Sequence, residues 1–145
     1  IATYWRADKY NINSKHLFIL KNNRRIDFYT TRSYNEYKTI DSILAFIEGH
    51  FMQDITLCSI AEACSCSEST VSHLFKAYSK QSVKKYINDL RIKQAEKFLI
   101  STDLPTSNIA DFCGFTNSNY FSTAFKKQFG LSPQKYRLKK QGDLD

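Results

Sequence analysis

Glycine and proline are scarce in this chain, with four of the first and two of the second in 145 residues, which excludes long flexible linkers. No apolar run is long enough to span a membrane, and charges interrupt each candidate, so no membrane partner is expected. No signal-peptide pattern opens the chain, and a cytoplasmic location is expected. The first residue is Ile rather than Met, which suggests a piece of a longer protein. Histidine occurs three times, at His16, His50 and His73, and no Ser-His-Asp or Cys-His arrangement surrounds them. The expectation is therefore a protein that is not an enzyme and carries no cofactor. The four cysteines, Cys58, Cys64, Cys66 and Cys113, do not read as a zinc site, which needs four ligands supplied in pairs by two segments. They are expected to be buried, reduced thiols without metal.

What is present is positive charge, unevenly placed. The chain holds 21 Lys+Arg against 14 Asp+Glu, a formal net charge of +7. From Lys76 to Lys140 there are 13 basic and 4 acidic residues, a net of +9, whereas Ile1 to Phe75 holds 8 of each. Clustered positive charge is the footprint of a polyanion binder, usually nucleic acid.

The second feature is an internal repeat. "IAEACSCSESTVSHLFKAYSKQS" begins at Ile60 and "IADFCGFTNSNYFSTAFKKQFGLS" at Ile109. Ile60, Ala61, Glu62 and Cys64 answer Ile109, Ala110, Asp111 and Cys113 at a separation of 49. After one inserted residue, Ser72, Phe75, Lys76, Ser82, Lys85 and Tyr86 answer Ser122, Phe125, Lys126, Ser132, Lys135 and Tyr136 at a separation of 50. Two copies are too few for a solenoid and point to a duplicated small unit.

Residues 1–33 differ from the rest: "HLFIL" and "IDFYT" flank "KNNRR" and read as a β-hairpin, a linker or remnant of an upstream domain. From Tyr34 onward the pattern is helical. Ile40, Ile43, Leu44, Ile47 and Phe51 mark one face of a first helix ending near Gly49–His50. Thr56 can cap a helix from Leu57, and Ser67 a third helix with Val71, Leu74, Phe75 and Tyr78 inward. A long helix over about 83–101 follows, with Tyr86, Ile87, Leu90, Ala95, Phe98 and Leu99 inward, until "STDLP" breaks it. In the second copy Thr106 or Ser107 is expected to cap the helix of Ile109, and Gly114 to end it. Thr116 or Asn117 opens the next helix, with Phe121, Ala124, Phe125 and Phe129 inward, and Gly130 ends it. Ser132–Pro133 then starts a last helix. Each copy is helix, short turn, helix, the layout of a helix-turn-helix unit.

"GFTNSNYFSTAFKKQFGLSPQKYR", preceded by "IADFC", closely resembles the signature of the AraC/XylS family of transcription regulators. "LCSIAEACSCSESTVSHLFKAYSK" with "RIKQAEKFL" resembles the first helix-turn-helix and linker helix of the same domain. The resemblance spans about Tyr34 to Lys140, the core of an expected DNA-binding domain over 34–145. It implies a mostly α fold of about seven helices, with helix-turn-helix units near 57–80 and 107–130 joined by the linker helix. It implies control of transcription through double-stranded DNA, contact with RNA polymerase, and an upstream domain that binds ligand or dimerises. Activation and repression both remain open. The linker helix would be about 28 Å long at 1.5 Å per residue. That suits two recognition helices held about one DNA turn apart, roughly 34 Å, on one asymmetric site.

Subtracting the inward stripe leaves Glu68, Ser69, Ser72, His73 and Lys76 outward on the first recognition helix. On the second it leaves Ser118, Asn119, Tyr120 and Thr123. Carrying over the family's base-reading positions selects Ser69, Ser72, His73, Asn119, Tyr120 and Thr123. The family often has Arg where this chain has His73 and Thr123, so Arg-type guanine contacts are not carried over there. Phosphate contacts are expected from Lys76, Lys84, Lys85, Lys126, Lys127, Lys135 and Arg137, together with helix N-termini. Phe75, Phe125, Tyr86 and Tyr136 lie on the inward stripe and are read as core rather than base-stacking groups. The competing reading is a helical protein-interaction module that uses its helix-turn-helix surfaces for docking, which would show exposed apolar anchors.

Overall fold

A computed structural model describes residues 26–142, with side chains from Asn35 onward. These residues form seven helices and no strand: α1 (Ile26–His50), α2 (Leu57–Ala63), α3 (Glu68–Ser79), α4 (Val83–Ser101), α5 (Thr106–Phe112), α6 (Ser118–Phe129) and α7 (Pro133–Gln141). The first strand of the expected hairpin, "HLFIL", lies outside the described residues. The second, Ile26–Thr30, is instead the start of α1, which crosses the expected boundary at 33/34. Once the amphipathic run of α1 has nucleated a helix, each residue added at its N-terminal end gains a hydrogen bond, so extension outcompetes a marginal strand.

The chain divides into two units, each with its own core. The first contains α1, α2 and α3; the second contains His50–Ile55 and the chain from Lys84 onward. In the first unit the expected face of α1 is buried through Ile40, Ile43, Leu44 and Ile47, as are Ile60 and Ala61 of α2 and Val71 and Phe75 of α3. Thr56 caps α2 in a reciprocal box with Ser59: the Ser59 N–H donates to Thr56 Oγ1 (3.1 Å), and the Thr56 N–H donates to Ser59 Oγ (2.9 Å).

In the second unit Ile92, Ala95 and Leu99 of α4 meet Ile109, Ala110 and Cys113 of α5, Phe121 and Phe125 of α6, and Tyr136 of α7. Ile92 was not picked out from the sequence; it follows Arg91 and precedes Lys93, and a polar flank hides a single core position. Its ring system is continuous: Phe125 lies 5.8 Å from Phe121, 4.7 Å from Phe129 and 5.4 Å from Tyr136, centroid to centroid. The Tyr136 hydroxyl donates to Glu96, and burial followed by that hydrogen bond pushes its pKa up to about 12.

Two arginines close this unit. Arg91 Nε donates to the Phe51 carbonyl (2.6 Å) and its Nη2 to the Gln53 carbonyl (2.9 Å), tying the His50–Ile55 segment to α4. Arg137 Nε donates to the Leu99 carbonyl (3.2 Å) and its Nη2 to the Leu104 carbonyl (2.6 Å). Leu99 lies in the last turn of α4, where carbonyls lack intrahelical partners, so Arg137 acts as a C-terminal cap from another helix.

Two expectations need correction. The N-cap of α5 is Pro105, not Thr106 or Ser107, and it makes no side-chain cap bond. The ring holds Pro105 at φ −53°, already suited to helix entry, so the helix begins directly after it and takes Thr106 and Ser107 into its first turn. The cysteines are all free, but only Cys113 is buried; Cys64 and Cys66 are half-buried and Cys58 is exposed. Cys58 is exposed on α2, with its thiol 3.6 Å from Glu62, whose charge raises the thiol pKa. Burial pushes the Cys113 thiol up to about 11.

Candidate nucleic-acid interface

The two copies close their turns with the same backbone hydrogen bonds. At the end of α2 the Cys66 N–H donates to the Ala61 carbonyl (3.0 Å) and the Ser65 N–H to Glu62 (3.2 Å); at the end of α5 the Phe115 N–H donates to Ala110 (2.9 Å) and the Gly114 N–H to Asp111 (3.0 Å). Both are Schellman closures, which need a left-handed residue just past the helix. Gly114 fills that place at φ 88° and Ser65 at φ 53°. The inserted residue is Thr116, because Cys66 and Phe115 are equivalent and so are the next caps, Ser67 and Asn117. The second turn is thus one residue longer before the same kind of helix begins.

That helix starts on a side-chain cap in each copy. Ser67 Oγ accepts from the Thr70 N–H (3.1 Å). Asn117 Oδ1 accepts from both the Asn119 (2.9 Å) and Tyr120 (3.0 Å) N–H groups. Val71 and Phe75 anchor α3 inward, and Phe121 and Phe125 anchor α6, all four at 0% exposure. With those stripes fixed, Ser69, Ser72 and His73 on α3 and Asn119, Tyr120 and Thr123 on α6 are all exposed. Within each unit, then, the three positions expected to read bases share one exposed polar face.

The helices end alike as well. The Lys80 N–H donates to the Lys76 carbonyl (3.0 Å) and the Gly130 N–H to the Lys126 carbonyl (2.8 Å). Lys80 takes the left-handed region (φ 62°, ψ 14°) just as Gly130 does (φ 78°, ψ −13°). A side chain in that region costs on the order of 1 kcal/mol. Lys80→Gly is therefore expected to stabilise the first unit by about 1 kcal/mol, read from its denaturant midpoint. By hydrogen exchange the wild-type amides around Ser79–Ser82 should open more readily than those around Phe129–Ser132. Equal protection of the two segments would show that the cap residue is not what limits local stability.

The lysines sit where helix ends present them. Lys76 lies in the last turn of α3, and Lys126 and Lys127 in the last turn of α6. Lys84 and Lys85 open α4, and Lys135 opens α7; all six are exposed. Lys85 pairs with Asp89 at 2.8 Å on the surface, a partner it can exchange at little cost. Arg137 differs from these lysines in that two of its nitrogens are held by the Leu99 and Leu104 carbonyls, which fixes the guanidinium in place. Its charge was legible in the sequence; its partners, 33 and 38 residues away, were not.

Two hydroxyls on the α6 face have their polarity set. Thr123 Oγ1 donates to the Asn119 carbonyl (3.0 Å), so its proton is used on its own helix. The Tyr120 hydroxyl accepts from Asn88 Nδ2 (2.8 Å) on α4. Asn88 was missed by sequence reading, since nothing local in "YINDL" marks a partner 32 residues away.

A model described as a helix-turn-helix domain matches residues 60–139, more than half of the chain. The chain belongs to the AraC/XylS family. Among relatives, the HTH-type transcriptional activator RhaS of Enterobacter sp. (strain 638) is 31% identical over 110 residues, covering 76% of this chain and 40% of that protein. The chain thus spans about two fifths of the length of the curated relatives it matches. Among solved structures it resembles the C-terminal domain of AraT, a response regulator from Geobacillus stearothermophilus. That likeness has 36% identity and a TM-score of 0.66, over 70% of this chain and 84% of the other. It also resembles the C-terminal domain of the two-component response regulator yesN from Fusobacterium nucleatum, with 30% identity and a TM-score of 0.64, over 69% and 98% of the two chains. The family match, over residues 60–139, falls on the helical part of the chain where both helix-turn-helix units lie.

Proposed function

We propose that this chain is the DNA-binding part of a transcription regulator, and that it reads one extended, asymmetric site with α3 and α6 in successive major grooves. The observation that carries this reading is the repeated closure–cap–stripe geometry, which gives α3 and α6 the same construction and the same polar outer face. A tandem repeat within one chain supplies two similar readers without the two-fold symmetry that a palindromic site reflects. The base-reading set is Ser69, Ser72, His73, Asn119, Tyr120 and Thr123; the phosphate-contacting set is Lys76, Lys84, Lys85, Lys126, Lys127, Lys135 and Arg137. RNA polymerase and an upstream ligand-binding or dimerising domain belong to the same proposal, as in a full-length regulator.

Binding to a random-sequence duplex should weaken steeply with salt, by about 0.9 in log K per log unit of salt for each phosphate engaged. A flat response would sink the DNA reading and favour the docking module. Lys126→Ala should weaken all sequences alike and reduce the salt slope by about one. Asn119→Ala should cost about 1–3 kcal/mol on the duplex selected by the wild type from a randomised library, and little on random duplex. Equal losses on both would show that Asn119 only supports the fold or the backbone contacts.

A further inference from the structure

We infer that Asn88 of the linker helix is a positioning residue for the second reading head, and that it makes Tyr120 a hydrogen-bond donor toward DNA. The inference rests on the DNA-binding reading and deepens it at one position. Tyr120 is the third residue of α6, in the N-terminal part of the helix, the part that meets base edges in helix-turn-helix docking. Tyr120 is half exposed, at 50%, yet it is tied at three points, one on its backbone and two on its side chain. Its backbone N–H donates to the Asn117 cap. The Phe115 ring lies 6.2 Å away, centroid to centroid. The Asn88 amide donates to its phenolic oxygen at 2.8 Å. An exposed tyrosine without such a partner would sweep its hydroxyl through a wide arc; this one is fixed before any partner arrives.

The chemistry follows from the direction of that bond. A phenol has one proton, and its oxygen is the atom that Asn88 engages. With the oxygen occupied as an acceptor, the O–H is left to donate outward. On a major-groove edge it then suits the acceptors of guanine (N7, O6), adenine (N7) or thymine (O4), and disfavours a cytosine amino group. The base preference at the Tyr120 position is therefore set in part by a residue on another helix that need not touch DNA.

The test starts from the duplex recovered by wild-type selection from a randomised library, with a random duplex as control. Asn88→Ala should weaken the selected duplex by about 2–10-fold, the range for losing one neutral hydrogen bond, with little change on random duplex. Tyr120→Phe should do the same, and the double variant should lose no more than either single one. Asn88→Asp is the decisive variant, because a carboxylate accepts the phenolic proton and turns the outward oxygen into an acceptor. Reselection with Asn88→Asp should shift the preference at one base pair toward amino-bearing edges, whatever its overall affinity. An Asn88→Asp profile identical to wild type at every position, or fully additive losses in the double variant, would overturn the inference while leaving DNA binding intact. If the wild type itself shows no salt-steep binding to duplex, both the inference and the reading beneath it fall. Thermal melts of the variants within a few degrees of wild type would separate positioning from folding; a collapsed melt for Asn88→Ala would overturn the positioning role in favour of a structural one.

Discussion

Gly114→Ala is expected to destabilise the second unit by about 3 kcal/mol, adding the left-handed penalty of roughly 1–2 to a steric cost of similar size. Gly114 sits at φ 88°, where any side chain is strained. It is also hemmed in: an added Cβ would lie 2.8 Å from the Met52 carbonyl oxygen and 3.0 Å from the Arg91 guanidinium. The carbonyl is backbone, held in a segment whose neighbours Phe51 and Gln53 both accept from Arg91, so it cannot swing aside alone. Either the Schellman closure of α5 opens or the Arg91 clasp does, and a bond to a charged donor is worth about 1.5–3 kcal/mol. For a unit of this size each kcal/mol moves the melting point by about 4–8 °C, so a fall of roughly 12–24 °C is expected. Gly130→Ala is the control. Gly130 is also left-handed, at φ 78°, but a Cβ there meets nothing within 4 Å, so its loss should be only about 1 kcal/mol. Equal melts for the two variants would show that the approach of Met52 carries no weight.

The contrast between these glycines marks what sequence reading could reach. Both were legible as helix stops, because a local pattern of apolar stripe, then Gly, then a capping residue encodes a backbone geometry that only the nearest residues determine. The repeat, the cap residues Thr56, Ser67, Asn117 and Ser132, and the buried pairs Val71/Phe75 and Phe121/Phe125 were legible for the same reason. The packing against Met52 was not, nor were the tasks of Arg91, Arg137 and Asn88. Each of these three reaches a partner 32 to 40 residues away, and two of them bind backbone carbonyls, which have no residue-type signature. A lone Arg on a helix reads as surface charge whether it faces solvent, phosphate or a buried carbonyl. The candidate site was therefore legible in its exposed face and not in what braces that face.

Phe125→Ala should produce the largest loss of stability, about 3–5 kcal/mol for truncating a buried aromatic ring. Phe125 is at 0% exposure and is the hub of the ring system, touching Phe121, Phe129 and Tyr136. Each aromatic pair adds about 0.5–1.5 kcal/mol beyond its buried area, so the cost should lie near the top of that range. The same residue fixes the rotation of α6, since Phe121 and Phe125 are the inward anchors that turn Asn119, Tyr120 and Thr123 outward. Its counterpart Phe75 holds the same place in α3, also at 0% exposure. Because each unit has its own core, the two substitutions should act on different amides. Hydrogen exchange on Phe125→Ala should speed up through α5, α6 and α7 while the slow amides of α2 and α3 keep most of their protection; Phe75→Ala should show the reverse. Binding to the selected duplex should fall in both variants, and the salt slope should fall further in Phe125→Ala, whose unit contains Lys84, Lys85, Lys126, Lys127, Lys135 and Arg137 against Lys76 alone among the proposed phosphate contacts of the other. Loss of protection across both units in either variant would mean that the two cores unfold as one cooperative block, and that neither helix-turn-helix unit has a stability of its own.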